Sequence, residues 1–151
     1  MAADERRRLH AGQATSRPLS KDYEYIGLLG EAHFAEMTGL PLDLNHRIAG
    51  DHGIDFVAGS LTIDVKTAAI PAYLLVEKGK VFASIYVLAG YDAPSDTVRM
   101  LGWMYGDDME ACPSGIAGWT IPSHYIRRGD TNPIESLAEL LGMTFHDVVY
   151  R

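Results

Sequence analysis

The segment Leu61-Thr62-Ile63-Asp64-Val65-Lys66-Thr67 alternates without a break. Successive side chains of an extended chain point to opposite faces, so Leu61, Ile63 and Val65 share one side and Thr62, Asp64 and Lys66 the other. This is the pattern of a strand with one face in a core. Gly53-Ile54-Asp55-Phe56-Val57 precedes it as a second short strand, with Ala58-Gly59-Ser60 as the turn. A tight connection of this kind sets Asp55 beside Asp64 on the paired strand. Whatever the rest of the chain does, it must accommodate two acids and a lysine at this hairpin.

Around the hairpin the pattern predicts a helix over 21–40, with Ser20 as N-cap and Asp22 and Glu24 facing the positive end of its dipole. Ile26, Leu29, Phe34 and Met37 have helical spacing, and Gly39 with Pro41 supplies the stop. Glu24 and Glu31 lie seven residues apart and so share one side. Gly30 and Ala32 flank Glu31 and leave the backbone close to whatever it faces. Further strands are predicted over 73–76, 82–89 and 97–105 from their β-forming residues. Residues 107–111 suit one helical turn. A short helix over 133–141 starts near Pro133 and ends before Gly142. Residues 143–151 read as a strand or a docked tail. The sum is a single α/β or α+β domain over 20–151, behind a flexible N-terminal arm over 1–19.

Composition narrows the function classes. The chain of 151 residues is 47% hydrophobic and 22% charged, ordinary globular values that exclude coiled-coil and collagen-like readings. No run approaches the roughly 18 apolar residues of a membrane span. The first ten residues are charged and lack an apolar stretch, so no secretory signal is expected. Cys112 is the only cysteine, which excludes a disulfide framework and points to a reducing cytoplasm. A formal charge of −7 argues against a general nucleic-acid coat protein. It leaves room for an enzyme whose acidic site is neutralised by metal before it meets phosphate.

The chemistry gathers on Glu31, Asp55, Asp64 and Lys66. Two adjacent carboxylates repel unless a cation lies between them, and a hard divalent cation such as Mg²⁺ suits oxygen ligands. A lysine beside them can orient a water or oppose charge developing on phosphate. An acid-x-lysine triplet is common by itself. Here it is the only one in the chain, uses one of just four lysines, and sits inside an apolar strand.

Gly30-Glu31 on a helix, then Gly53-Ile54-Asp55-Phe56, then Asp64-Val65-Lys66-Thr67, resembles the PD-(D/E)XK nuclease superfamily, of small bacterial or phage type, over roughly residues 23–67. The resemblance implies a restriction-endonuclease-like mixed β-sheet flanked by helices, and Mg²⁺-dependent hydrolysis of DNA phosphodiester bonds, with Mn²⁺ as a substitute. It implies Asp55, Asp64 and the Val65 carbonyl as metal ligands, Lys66 as the catalytic lysine, and Glu31 as the helix acid and a further metal ligand, directly or through water. Ile54 stands at the nominal proline, and Ala68 to Val87 holds Pro71 and two β-like runs where the family places a crossover helix. A homodimer is the expected assembly, since cutting two strands needs two sites. The alternative is a non-catalytic nucleic-acid-binding or assembly module retaining the fold.

Candidate phosphate contacts are Arg6-Arg7-Arg8, His52, Lys78 and Lys80, with Arg127-Arg128 as a further pair. His46, Asp51 and His52 match no standard zinc spacing. No Gly-x-Ser-x-Gly elbow and no phosphate-cradling glycine loop is present. Trp103, Tyr105 and Trp119 read as core or sheet-edge residues before base-stacking ones.

Overall fold

The alternating segment becomes β2 (Leu61–Ala69), the strand around which the computed structural model is built. Residues 20–42, 54–115 and 122–146 are described. On one side β2 pairs antiparallel with β1 (Phe56–Ala58) across a two-residue turn at Gly59-Ser60. Gly59 takes φ 61°, a left-handed conformation that this tight turn favours. On the other side β2 pairs parallel with β4 (Ile85–Asp92), and β4 pairs antiparallel with β5 (Thr97–Tyr105). The order β1-β2-β4-β5 puts β4 in the interior, and its residues 85–90 are buried. The predicted start of this strand at Phe82 is three residues early. The N–H groups of Phe82 and Ala83 donate to the Tyr86 hydroxyl at 3.0 and 3.2 Å, so they turn inward instead of joining a ladder.

A single mixed sheet is not what forms. After β2 the chain enters β3 (Tyr73–Glu77), which pairs with β7 (Ser123–Arg127), and β7 with β6 (Ser114–Gly115), in a second sheet of order β3-β7-β6. The parallel crossover from β2 to β4 therefore runs through a strand of the other sheet, with no helix between them. The sequence pattern does not announce β6, which has two residues, or β7, whose burial does not alternate along Ser123–Arg127. The structure is thus mixed α/β with two sheets and three helices among the described residues.

Helix α1 (Ser20–Thr38) already includes Ser20, so Ser20 is not its N-cap; it ends where Gly39 turns to φ 77°. It covers one face of the first sheet. Phe34 and Met37 pack there with Phe56, Ile63, Val65, Ile85, Val87 and Leu137, and the Phe34 and Phe56 rings lie 4.9 Å apart. The second sheet covers the other face through Leu74 and Val76, against Tyr86, Leu88, Met104 and Met109. Helix α2 (Gly106–Ala111) follows β5 directly. Helix α3 (Ile134–Leu141) is closed by Gly142 at φ 65°. Beyond it residues 143–146 are irregular and dock on α1 through His146 N–H to Met37 O, 2.8 Å.

The approach of α1 to the sheet is set by Gly30. A Cβ there would stand 2.0 Å from Thr67 Oγ1 and 3.3 Å from Ala89 Cβ. Gly30→Ala is expected to destabilise the fold by about 1–3 kcal/mol, as overpacking does. Thr67→Ala in the same chain should recover part of the loss. Denaturant unfolding of the two single variants and the double variant checks this; a Gly30→Ala protein as stable as wild type contradicts it.

Candidate active site at the open edge of β2

The site exists because β1 stops early. Its ladder with β2 ends at the pair Phe56–Ile63. Asp55 N–H still donates to Ile63 O at 2.9 Å, so Asp55 and Phe56 both lie against Ile63, in the manner of a bulge that re-aims a side chain. The Asp55 side chain then takes over where the strand leaves off. Its Oδ2 accepts the Val65 N–H at 2.9 Å. An edge N–H that would have met a longer β1 is satisfied by a carboxylate. The N–H and C=O of one strand residue point to the same edge, so the Val65 carbonyl faces the side on which Asp55 sits.

Asp64 precedes Val65 and projects to the face opposite α1. Both acids are buried, Asp55 8% and Asp64 4% exposed, and their carboxyl groups are within hydrogen-bonding reach of each other. Burial pushes Asp55 up to about 8, with the charge and hydrogen bond of Asp64 adding to the rise. The Val65 N–H and the Lys66 ammonium pull the other way. Asp64 is also raised by burial. Lys66 and the hydrogen bond with Asp55 oppose that rise, and the charge of Glu31 adds to it. Two buried carboxyl groups this close cannot both ionise cheaply, so the pair retains a proton near neutrality.

Lys66 Nζ stands 3.0 Å from Asp64 Oδ2. Its side chain is 36% exposed against 6% for Asp64, so the ammonium lies between the buried acid and solvent. Glu31, itself 7% exposed, is delivered by α1 directly after the Gly30 contact. The four expected residues therefore belong to one electrostatic unit: Asp55 and Asp64 in contact, Lys66 on Asp64, and Glu31 bearing on Asp64 through its charge. Among the described residues no three or more His, Cys, Asp or Glu side chains form a ready-made metal cage. What the structure brings together is the Asp55–Asp64 pair, with Glu31 outside any such group; paired carboxylate oxygens are hard donors of the kind a divalent cation can take in place of a proton.

Other expected residues fall elsewhere. Lys78 and Lys80 lie in the β3–β4 connection, where Lys80 Nζ is 3.4 Å from Glu77 Oε2. Arg127 and Arg128 follow at the end of β7. Trp103 is a core residue, 4% exposed, whose Nε1 donates to Pro133 O at 3.0 Å and Ser136 Oγ at 2.9 Å. Tyr105 is exposed beside it, with ring centroids 4.8 Å apart. Arg6, Arg7, Arg8, His46, Asp51, His52 and Trp119 lie outside the described residues.

Sequence reasoning missed Tyr86. It pairs in register with Asp64, is 1% exposed, and its hydroxyl gathers the 82–83 backbone at the start of β4. Burial raises its pKa, and the Asp64 charge adds to the rise. The only signal was a tyrosine inside an apolar run.

Compared with known proteins, the chain matches no family model, no curated protein and no solved structure.

An acid raised from 3.8 when unfolded to about 8 when folded binds its proton more tightly in the folded state. Stability from this source is fully present below the lower value and is lost as pH rises through the upper one. In chelator, the Tm should fall by roughly 5 °C or more between about pH 5 and about pH 9. Asp55→Asn should flatten that fall. Thermal scans of both proteins across this range check it, and a flat wild-type profile contradicts it.

Proposed function

We propose that this protein is a divalent-metal-dependent nuclease hydrolysing phosphodiester bonds in nucleic acid, DNA in the first instance. One observation carries the reading: two acids are buried at an open strand edge, Asp55 accepting the Val65 N–H and Asp64 with a lysine ammonium 3.0 Å away. A purely structural strand has no use for this arrangement, since burying two like-charged groups costs stability. The resemblance of the Gly-Ile-Asp and Asp-x-Lys segments to PD-(D/E)XK nucleases supports the same reading.

Asp55 and Asp64 would hold the cation, with the Val65 carbonyl on the same edge and Glu31 adding negative charge. When bound, a divalent ion lowers the pKa of a coordinated water and neutralises a phosphate oxygen. The residues do the rest. Asp64 anchors the Lys66 ammonium by their ion pair, and Lys66 then orients the attacking water in line with the scissile bond. The same ammonium opposes the charge that builds on the phosphoryl oxygens. Burial keeps bulk water from screening these groups. The family pattern implies a 5′-phosphate and a 3′-hydroxyl as products.

The test is nicking of supercoiled plasmid with Mg²⁺, Mn²⁺ or chelator. Lys66→Ala and Asp64→Asn should each lower the rate by at least about 100-fold while the Tm shows a folded protein. Undiminished cleavage by Lys66→Ala, or equal cleavage in chelator, contradicts the proposal. A folded wild type that never cleaves leaves the non-catalytic module as the better reading.

A further inference from the structure

The second sheet has one face in the core and one outside. Leu74 and Val76 of β3 are buried against the first sheet, and Ile126 of β7 packs there too. The alternate residues lie on the other face, in register: exposed Tyr73 opposite exposed Arg127, half-buried Leu75 opposite half-buried Tyr125, and Glu77 opposite Ser123, which is buried. Tyr73 is 43% exposed, and its ring stands 6.5 Å from that of Tyr125 at 73°. Two aromatic rings and a leucine thus lie side by side on a sheet surface, with arginine at one end.

The cations of this acidic chain are distributed with a bias. Six lysines and arginines have described side chains: Lys66, Lys78, Lys80, Arg99, Arg127 and Arg128. Lys66 belongs to the carboxylate site. Four of the other five bracket this one sheet. Arg127 ends β7 opposite Tyr73 and Arg128 follows it, whereas Lys78 and Lys80 follow β3 at the opposite end of the ladder. The five-residue ladder separates the two pairs by roughly 15 Å. Two of these cations have acidic neighbours, Lys80 with Glu77 at 3.4 Å and Arg127 with Asp130 at 3.5 Å. Both ion pairs are exposed, and such pairs are weak enough for a phosphate to compete with them.

We infer that the outer face of the β3-β7-β6 sheet binds single-stranded nucleic acid, its bases against Tyr73 and Tyr125 and its phosphates at Arg127-Arg128 and Lys78-Lys80. Positive charge at both ends with aromatic rings between is the chemistry of a stacking track. Duplex does not suit it, because paired bases are stacked on one another and offer no face to a ring. The surface is separate from the carboxylate residues, and the inference holds whether or not that site cleaves.

The experiment is fluorescence anisotropy of labelled oligo-dT and oligo-U, and of a duplex of equal length, in chelator at low salt. Wild type should bind the single strands and prefer them to duplex, and comparing dT with U tells DNA from RNA. Tyr73→Ala/Tyr125→Ala should weaken binding about tenfold or more, whereas Tyr73→Phe/Tyr125→Phe should retain it, because stacking survives loss of the hydroxyl. Arg127→Ala/Arg128→Ala should reduce the dependence of log K on log salt by about one to two. The inference is overturned if wild type binds neither strand, if duplex binds as tightly, if the double alanine variant keeps wild-type affinity, or if the phenylalanine variant loses it while keeping its Tm. Plasmid nicking by the same preparations reads the carboxylate site on its own, so either surface can fail without the other.

Discussion

The hydrogen bond from Val65 N–H to the Asp55 carboxylate is the contact on which the account turns. A three-residue strand leaves the edge of its neighbour unsatisfied, and an exposed edge is a liability. Asp55 solves this locally with a side chain in place of a backbone carbonyl. The cost is a buried acid set against Asp64, so the edge is closed only by storing electrostatic strain. Lys66 relieves part of that strain from the solvent side. Glu31 adds to it from the helix. The features that make the site poor as structure make it suitable for holding a cation.

Packing keeps this balance in place. Phe34 and Phe56 lock α1 to the hairpin, and Gly30 lets the helix lie against Thr67 and Ala89. Glu31 therefore comes to its position on a rigid element. On the other face Tyr86 sits in register with Asp64 and ties down the backbone leading into β4. The acids are thus fixed between two packed layers, and that burial is the largest cause of their raised pKa values.

Much of this was legible in the residues themselves. The alternation of Leu61, Ile63 and Val65 located β2. Its short partner and tight turn brought Asp55 to Asp64, and Gly39 and Gly142 marked the ends of two helices. Other features had no local signature. The division of strands between two sheets depends on where β3 finds its partner, about 50 residues away in Ser123–Arg127. The placement of Lys78 and Lys80 just past the end of a strand in the second sheet follows from that pairing and not from their own neighbourhood. Tyr86 looked like any core aromatic until the parallel register set it opposite Asp64. Local periodicity reveals elements and faces, whereas long-range pairing decides which faces meet.

The most direct measurement is isothermal titration of the chelator-treated protein with Mg²⁺ near neutral pH, in buffers of differing ionisation enthalpy. If the Asp55–Asp64 pair holds a proton that a cation displaces, binding should release about one proton per ion, and Asp55→Asn should abolish the release. Binding with no proton released, or no binding at all by a folded wild-type protein, would contradict the central claim that these two acids form a cation site.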